Sequence, residues 1–417
     1  MSLAVKGARL DGEVVGVRAE EGRIVALGPG VDSRSGDEVI DAAGMVLVPG
    51  LVNGHTHAAM TLFRGQGGDL PLMEWLEKVI WPVEARLDAE DVYWGARLAC
   101  VEMIRTGTVR FCDMYWHPGA TARAVEDAGL RATIGAPLID LGAAAGPETL
   151  REAAERSLEQ IGAARELIAP ALAPHAIYTV SESALRWIAA AAEERQLPVH
   201  IHLSETEDEV ARCIEAHGAR PAEYLERLGL LGPHTLLAHG VWLGDAELEL
   251  IAARGATVVT NPVANLKLAV GRPFPYLAAR EAGVHVGLGT DGAGSNDSLD
   301  LFQDMKTFAL LHKHEARDPA AVSAAEAWEV ATGRRSQLLG GGDLAEGEPA
   351  DFLLLRSDAP ELSLGDLTAG IVYAASGAVV DTTVVNGRVL MRGGEVEGTD
   401  EVLAHALERA RKLGLAR

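Results

Sequence analysis

The sequence is poor in cysteine and has no long apolar run. Three cysteines occur among 417 residues, at Cys100, Cys112 and Cys213, and no two of them form a Cys-x-x-Cys pair. A sparse, odd set without a secretion signal argues against a disulfide framework and predicts reduced thiols in a cytoplasmic chain. No basic segment followed by an apolar stretch opens the chain, and no run reaches the roughly 18 apolar residues of a membrane span. We therefore expect a chain that is neither secreted nor inserted in a membrane.

Positive charge is also scarce. Lys and Arg number 37 against 60 Asp and Glu, which gives a formal net charge of −23. Nucleic-acid binding needs clustered positive charge, so this balance argues against a polyanionic partner. A small neutral or cationic molecule is the better match. The hydrophobic share of 48% is ordinary for a globular protein, and the length suggests about two or three domains.

Both ends of the chain alternate apolar and polar residues between glycines, which is the pattern of strands and turns. Residues 1–50 show it first, and it returns in residues 346–399, where Asn386-Gly387 is a strong hairpin signal. Neither segment is large enough to hold a core alone. We predict that the two pack together into one small discontinuous β-sandwich domain, followed by a C-terminal helix over residues 400–417.

The central part repeats an alanine-rich helix, a glycine or proline stop and a short β-branched run. In one example, Leu250-Ile-Ala-Ala-Arg-Gly leads into Ala256-Thr-Val-Val-Thr, and glycine is the expected residue just after a helix. The candidate strands lie near residues 51–57, 108–114, 131–138, 168–174, 198–204, 235–241, 256–261 and 284–290. Eight strands alternating with helices predict an α/β fold, a (β/α)8 TIM-type barrel over residues 51–345, rather than an open doubly wound sheet.

Histidines and acids recur where these candidate strands end, which is the end of a barrel that carries its chemistry. His55 and His57 are two apart, so a strand would project both from one face toward a single ion. Any one of these positions could equally be a core histidine or a turn former, but their recurrence favours a metal site. The residues concerned are His55, His57, His175, His200, His202, Glu205, His239 and Asp291.

The candidate ligands are imidazole nitrogens and a carboxylate, with no thiolate. That set favours Zn²⁺, with Fe²⁺ and Mn²⁺ as alternatives. One ion per subunit suffices, since the stretch before His175 offers no lysine or acid to bridge a second. A metal lowers the pKa of its water, but the proton must still move to a leaving group. Glu205 is placed to reach the substrate and to move this proton. Alternatively, Glu205 is an acidic residue at the N-terminus of the next helix, where the helix dipole favours it.

Short motifs around these residues resemble the amidohydrolase superfamily over nearly the whole chain. They are His55-Thr-His57 after Pro-Gly-Leu-Val-Asn, His202-Leu-Ser-Glu205, Ala-His239-Gly and Thr-Asp291-Gly. Within its mononuclear deaminase and chlorohydrolase branch, the chain is most similar to the methylthioadenosine/S-adenosylhomocysteine deaminases. The motifs that carry this likeness are Met60-Thr-Leu-Phe-Arg-Gly, Glu74-Trp75-Leu, Trp81-Pro-Val-Glu84, Asp113-Met-Tyr, Asn261-Pro-Val-Ala-Asn265-Leu-Lys-Leu and Gly292-Ala-Gly-Ser-Asn-Asp-Ser-Leu.

The resemblance implies a catalytic role for several of these residues. The implied metal ligands are His55, His57, His202 and Asp291. Glu205 and Asp291 are implied to move protons, and His239 to orient the water and polarise the forming tetrahedral centre. His200 is extra to the family pattern. It either supports a ligand from behind or fills space.

The resemblance also implies how the substrate is held. His175 contacts the purine ring, Glu84 takes the ribose hydroxyls and Trp75 packs on the substrate. Family members that accept S-adenosylhomocysteine place an arginine near the end of the third barrel strand, where this chain has Gly135-Ala136-Pro137. Arg151 could substitute from the following helix, or it is a solvated helix residue. We therefore expect a 5′ group that need not be charged, with S-adenosylhomocysteine less favoured.

The implied activity is that of a metal-dependent hydrolase acting on C–N bonds of cyclic amidines. It would convert the 6-amino group of adenosine, 5′-methylthioadenosine or a related purine nucleoside to 6-oxo and release ammonia. Alternatives are the same chemistry on a guanine-like base, a triazine or aminodeoxyfutalosine, and a non-catalytic barrel. The zinc deaminases of nucleic acids carry a different signature, His-x-Glu with Pro-Cys-x-x-Cys, which this sequence lacks. A homo-oligomer is expected by family analogy alone.

Overall fold

The computed structural model describes residues 2–66, 70, 72–141, 147–163 and 166–416. The strands are β1 (Ser2–Leu10), β2 (Glu13–Glu20), β3 (Arg23–Gly28), β4 (Glu38–Asp41), β5 (Met45–Pro49), β6 (Leu51–Thr56), β7 (Thr108–Met114), β8 (Arg131–Gly135), β9 (Pro137–Leu138), β10 (Ile168–Pro170), β11 (Ala173–Pro174), β12 (Val199–Leu203), β13 (Thr235–His239), β14 (Thr257–Thr260), β15 (His285–Leu288), β16 (Phe352–Arg356), β17 (Val380–Val385) and β18 (Arg388–Met391).

Helices fill the intervals between the central strands. They are α1 (Leu72–Trp75), α2 (Trp81–Glu84), α3 (Ala89–Arg105), α4 (Pro118–Ala128), α5 (Pro147–Ile161), α6 (Glu182–Arg195), α7 (Glu207–His217), α8 (Pro221–Arg227), α9 (Asp245–Arg254), α10 (Pro262–Lys267), α11 (Tyr276–Ala282), α12 (Leu301–Ala316), α13 (Ala324–Ala331), α14 (Leu367–Ala369) and α15 (Thr399–Leu413). Short 3-10 turns span Ala58–Phe63 and Gly377–Val379, and π-helical turns span Leu76–Ile80 and Gly370–Ala374.

Strands from both ends of the chain form one sheet. Its order is β18-β17-β16-β5-β1-β2-β3, with β4 paired in parallel to β1. Val5 stands opposite Val17, and Leu47 opposite Leu354. All four belong to one buried apolar cluster, so neither terminal segment could bury this face by itself. The turn between β17 and β18 has positive φ at both Asn386 and Gly387, as the hairpin signal indicates.

The central strands are parallel. One set runs in the order β10-β8-β7-β6 and another in the order β12-β13-β14-β15. The two sets approach each other where Leu172 bridges Val199, and where the Asp291 N–H donates to the His55 carbonyl at 3.0 Å. With helices between most of the strands, this mixed α/β architecture is of the TIM-barrel type, which confirms the predicted fold class at that level.

Prolines divide two of the candidate strands. The stretch near 131–138 splits into β8 and β9, and the stretch near 168–174 splits into β10 and β11. Proline has no N–H to donate to a ladder, and Pro137, Pro170 and Pro174 all lie at strand ends. The other six candidates agree with the observed strands to within about two residues, which lies within the usual uncertainty of element boundaries.

The C-terminal helix is a packed element. Residues 400–417 were expected to be helical, and α15 begins at Thr399 and ends at Leu413. It buries Val402, Ala406 and Ala410, and Lys412 Nζ lies 2.9 Å from a carboxylate oxygen of Asp91 in α3. Among all the helices described above, none combines the length and apolar character that crossing a bilayer requires.

Candidate active site

Imidazoles and one carboxylate converge where β6, β12, β13 and β15 end. Asp291 Oδ1 lies 3.3 Å from His55 Nε2 and 3.2 Å from His57 Nε2. His202 Nε2 lies 3.4 Å from His57 Nε2. His55, His57 and Asp291 offer ligand atoms within 4.8 Å of one another, and so do His55, His202 and His239. The four predicted ligands therefore share one small volume, with His239 at its border.

Two of these histidines are held through the ring nitrogen that faces away from the cluster. His57 Nδ1 donates to the Met114 carbonyl at 2.6 Å, and His202 Nδ1 donates to the His175 carbonyl at 2.8 Å. A carbonyl can only accept, so each bond assigns the proton to Nδ1. Each Nε2 then faces the cluster, where it offers a lone pair to a metal ion when it carries no proton.

His200 gives the same support to His55. His55 Nδ1 and His200 Nε2 are 2.8 Å apart, and both rings are buried. His55 Nε2 is buried and faces the cluster, 3.3 Å from Asp291 Oδ1, and it forms no hydrogen bond among the described residues. A buried polar atom left in this way is unfavourable, and a cation in the cluster would satisfy it. The donor set of nitrogen atoms and one carboxylate therefore fits a divalent metal ion.

Asp291 is fixed by both its backbone and its second oxygen. Its φ is 61°, in the left-handed region that non-glycine residues rarely adopt. The Ser295 hydroxyl donates to Asp291 Oδ2 at 2.6 Å. Oδ1 is thereby left to face His55 and His57. Backbone strain at a residue that points into a cleft is typical of functional sites.

Burial keeps most of these imidazoles neutral. It lowers the pKa of His55 to about 3 and of His175 to about 4, and it holds the pKa of His202 well below its usual range. Burial acts on His57 too, but there the Asp291 carboxylate outweighs it and raises the pKa to about 9. A cation in this cluster would compete with that proton, because metal ligands must be deprotonated.

Glu205 and His239 form the acid-base part of the site. Glu205 is buried, with Oε1 3.9 Å from His239 Nδ1, and burial raises the pKa of the Glu205 carboxyl. His239 Nδ1 lies 2.9 Å from Asn265 Oδ1 and 3.3 Å from Asn261 Nδ2. The shorter contact, to Asn265 Oδ1, is a hydrogen bond that a protonated Nδ1 of His239 donates, because an amide oxygen accepts. His239 also has positive φ, 72°.

The turn that carries Glu205 is held by another acid, Glu209. The N–H groups of Ser204 and Glu205 donate to the two Glu209 carboxylate oxygens at 2.8 and 2.9 Å. Thr206 is the N-cap of α7, and its side chain accepts from the Glu209 N–H. Glu205 therefore precedes the helix, and its carboxyl is directed toward His239 while Glu209 lies in the first turn.

Two of the residues expected on the substrate side, Trp75 and Glu84, lie on the helical segment that follows β6. Trp75 is buried, its indole N–H donates to the Gln66 carbonyl at 3.0 Å, and a Cβ at Gly294 would lie 3.2 Å from its ring. Glu84 is half-buried beside Tyr115. Burial raises the pKa of Glu84, and Tyr115 together with Trp116 opposes that rise.

His175 faces the cluster from the strand that precedes β12. Its Nδ1 lies 2.9 Å from the Thr179 hydroxyl, and its ring centroid is 4.9 Å from that of His202. The structure thus brings together all the sequence-predicted site residues of the metal and acid-base groups, with His175 beside them.

A model of the amidohydrolase family matches residues 46–390. The chain belongs to the amidohydrolase family. This confirms the resemblance stated from the motifs, over most of the chain's length.

Individual proteins are also similar to this chain over most of its length. The chain is 48% identical over 379 residues to a 5′-deoxyadenosine deaminase of Methanoregula boonei, covering 90% of this chain and 86% of that one. It is 43% identical to a 5-methylthioadenosine/S-adenosylhomocysteine deaminase of Desulforudis audaxviator, covering 99% and 97%. Among solved structures, an adenosine deaminase from Xanthomonas campestris with bound zinc is 34% identical, with a TM-score of 0.91 and coverage of 99% and 98%.

The stretch Gly135-Ala136-Pro137, where the resemblance implies an arginine in some family members, is tightly packed at its first residue. A Cβ at Gly135 would lie 2.7 Å from the Ala173 Cβ and 3.0 Å from the Ala171 carbonyl oxygen, so no side chain fits there without movement. Arg151 lies on α5 with its guanidinium carbon 5.6 Å from the centre of the Trp187 ring in α6. It packs between two helices of the outer layer.

Sequence reasoning did not assign four groups that orient this amidohydrolase site. They are the Met114 carbonyl, Glu209, Asn265 and Ser295. Three of them, Met114, Asn265 and Ser295, lie inside motifs that carry the family likeness, which was the available signal. His200 was left open between support and filler, and its contact with His55 Nδ1 is the supporting kind.

Proposed function

We propose that this chain is a metal-dependent deaminase of adenine nucleosides, which replaces the 6-amino group by 6-oxo, consumes one water and releases ammonia. The observation that carries the proposal is the buried Glu205 carboxyl beside His239, next to a cluster of three imidazoles and one carboxylate. The relatives named as deaminases of 5′-deoxyadenosine and of methylthioadenosine support the same reaction class. The partner is therefore a purine nucleoside rather than a polymer.

The metal is one divalent ion per subunit, and we propose Zn²⁺. Its ligands are His55, His57, His202 and Asp291. Three imidazoles and a carboxylate, with no thiolate, are the nitrogen and oxygen ligands that Zn²⁺ takes in proteins. The partnerless His55 Nε2 supports an occupant at this point. When bound, the ion acts as a Lewis acid and lowers the pKa of a water molecule.

The side chains around the ion move the protons. Burial raises the pKa of the Glu205 carboxyl and so favours its protonated form. Glu205 donates its proton to a ring nitrogen of the adenine and regains one from the hydroxyl of the tetrahedral centre when ammonia leaves. Asp291 accepts a proton from the attacking water and passes it to the leaving amine. His239 orients that water and polarises the forming tetrahedral centre, in the ring orientation that Asn265 holds. General acid-base steps of this kind contribute roughly 10²–10⁴-fold each.

The nucleoside is held on the side of the site away from the strands. Glu84 accepts from the ribose hydroxyls, Trp75 packs on the substrate and His175 contacts the purine ring. Glu205 contacts the same ring through the proton that it donates. The half-buried position of Glu84 and the buried ring of Trp75 support this arrangement.

The 5′ group is uncharged in the preferred substrate. Support comes from Gly135, where the tight approach of Ala173 leaves no room for an arginine, and from Arg151, which packs over Trp187. One relative is named as a deaminase of 5′-deoxyadenosine, a nucleoside whose 5′ position carries no charge. S-adenosylhomocysteine, whose amino-acid end is charged, is accordingly the weaker substrate.

Ammonia release tests the proposal. Adenosine, 5′-deoxyadenosine, 5′-methylthioadenosine, S-adenosylhomocysteine, aminodeoxyfutalosine, guanine and a triazine are compared at equal concentration, with Glu205→Gln as the control variant. We expect turnover of the adenine nucleosides with small 5′ groups and a loss of roughly 10²–10⁴-fold in the variant. Turnover of guanine or the triazine alone would contradict the substrate class, and full activity of Glu205→Gln would contradict the role of Glu205.

The same proposal includes the finer architecture. A closed (β/α)8 barrel over residues 51–345 is supported by the contacts of Leu172 with Val199 and of Asp291 with His55. A β-sandwich domain of residues 1–50 and 346–399 is supported by the sheet that joins both ends. A cytoplasmic location and a homo-oligomeric state stay predictions.

A further inference from the structure

Asp304 is a buried carboxylate that the proposed reaction does not use. It lies in the first turn of α12 and is fully buried. Burial raises the pKa of its carboxyl to about 7, and no cation pairs with it among the residues whose placement is described. An unpaired buried carboxylate lowers the stability of a fold. Its contacts therefore call for a reason other than stability.

The two carboxylate oxygens of Asp304 reach two different segments. Oδ1 accepts from the Val263 N–H at 3.1 Å, in the first turn of α10. Oδ2 accepts from the Asn296 side-chain amide at 3.0 Å. The same Asn296 amide donates to the Thr290 carbonyl at 2.8 Å. One carboxylate thus connects α10 with the residue immediately before Asp291.

Each of these two segments holds or adjoins a residue of the proposed active site. Val263 and Asn265 lie in the same short helix, and Asn265 Oδ1 accepts from His239 Nδ1 at 2.9 Å. Thr290 precedes Asp291, whose Oδ1 faces the imidazoles of the metal cluster. The helix that orients His239 and the strand end that presents Asp291 are therefore anchored to one side chain.

We propose that Asp304 is a positioning residue that sets the placement of His239 relative to Asp291. It does so by tying the start of α10 to the end of β15 through its two oxygens. Misplacement of catalytic groups by about 1 Å can lower a rate by roughly 10²-fold, so such a tether matters even though it touches no reacting atom. The expected effect of Asp304 on the rate rests on the proposed function. Its expected effect on metal retention does not depend on the substrate.

Asp300 provides a matched comparison. It is also a buried carboxylate at the start of α12, where it caps the helix by accepting from the Phe302 N–H at 3.0 Å. Its other oxygen accepts from the Gly377 N–H at 2.9 Å. Neither contact leads to α10 or to the Asp291 strand end. Changing Asp300 to asparagine should perturb α12 without disturbing the site.

The decisive variant is Asp304→Asn. The amide oxygen can still accept from Val263, but the new NH₂ group would face the NH₂ group of Asn296. If Asn296 turned to accept from it, its oxygen would face the Thr290 carbonyl. The link to Asp291 therefore breaks, although the two side chains have the same size.

We expect two results for Asp304→Asn that Asp300→Asn does not share. At saturating Zn²⁺, kcat falls about 10- to 100-fold, while KM for the nucleoside changes by less than about threefold because no substrate contact is removed. Zn²⁺ is lost to a chelator about 10-fold faster, as for loss of a group that orients a ligand. Asp300→Asn lowers the melting temperature but changes neither kcat nor metal loss.

Equal kcat and equal metal loss in the two variants would overturn the proposal and make Asp304 a purely structural residue. If Asp304→Asn does not fold, Asn296→Ala decides, because it cuts the Thr290 link and leaves the carboxylate in place. Metal loss at the wild-type rate from Asn296→Ala would likewise overturn the tether. If the wild-type protein turns over no nucleoside, the proposed function fails, and the metal-loss comparison still tests Asp304.

Discussion

The proposed metal-binding end of the site and its proposed substrate-facing rim are built in different ways. The ligands follow parallel strands, and the outer atoms of His57, His55 and Asp291 are held by Met114, His200 and Ser295. The rim residues lie on segments after strands, Trp75 and Glu84 on the helical segment after β6 and His175 directly after β11. In a barrel of this type, chemistry placed at strand ends is held by a rigid scaffold, whereas specificity placed on the following loops can change more readily.

Removal of the metal should have the largest effect, because the chemistry assigned to the metal-binding end depends on the ion. We expect ammonia release from the preferred nucleoside to fall to background after chelation and to return with about one equivalent of Zn²⁺ per subunit. Metal analysis of the same samples gives the stoichiometry. Undiminished turnover by metal-free protein would show that the imidazole cluster is not a metal centre.

His200→Ala should lower the affinity of the site for Zn²⁺ without removing a proposed ligand. His55 Nδ1 would lose its partner, and groups that orient a metal-binding histidine typically contribute 10- to 100-fold in affinity, so we expect a loss of about that size. Competition with a chelator measures it. The control is His312→Ala, since His312 is another buried histidine, on α12 and outside the cluster. Equal Zn²⁺ affinity in the two variants would mean that His200 only fills space.

Glu84→Ala tests the rim. A hydrogen bond to a charged group contributes about 1.5–3 kcal/mol, so KM for nucleosides should rise roughly 10- to 100-fold while kcat stays within about twofold. Glu77→Ala, in the adjacent exposed turn, is the control and should change neither. Steady-state kinetics with adenosine provide both constants. An unchanged KM would separate Glu84 from the ribose.

The smallest effect is expected far from both regions, at Asp88. It caps α3 and pairs with Lys412 of the C-terminal helix. Asp88→Ala should lower the free energy of unfolding by about 1 kcal/mol and leave kcat/KM unchanged. Urea unfolding and initial rates measure the two quantities. A large loss of activity would mean that the outer layer influences the site more than its contacts indicate.

The pH dependence of that cap follows from the sign of its pKa shift. The hydrogen bond from Lys412 lowers the pKa of Asp88 to about 2, below the value of about 3.9 in an unfolded chain. The stabilisation is therefore fully present above about pH 4 and is lost as the pH falls toward 2. The difference between wild type and Asp88→Ala should shrink over that interval. A constant difference would show that the ionised carboxylate is not the source.

Much of the site could be predicted from the sequence, because strand ends in a barrel share one face. His202 and Asp291 follow short apolar runs, and His55 with His57 marks another such end. The sequence left open whether His200 supports a ligand or fills space, and it could not name His55 as the contact, since the two lie 145 residues apart and meet only through the register of different strands. A period of two residues along each strand does not specify that register.

The fold shows the same limit. Glycine stops and β-branched runs indicated the alternation of helices and strands, and prolines then divided two strands whose apolar runs looked continuous. The absence of an arginine from Gly135-Ala136-Pro137 was visible in the sequence, but the tight packing at Gly135 was not. The close approach of Ala173 is a contact between neighbouring strands, which the residue pattern of one strand cannot reveal.

Left-handed backbone at Ser204, His239 and Asp291 carries a consequence for the engineering of heat resistance. Each of these non-glycine residues has a φ between 52° and 72°, a conformation that costs of order 1 kcal/mol and that glycine adopts freely. A selection for thermal tolerance alone would therefore favour glycine at all three positions. At Ser204 that change also removes a buried hydroxyl without a hydrogen-bond partner, whereas at His239 and Asp291 it would exchange activity for stability.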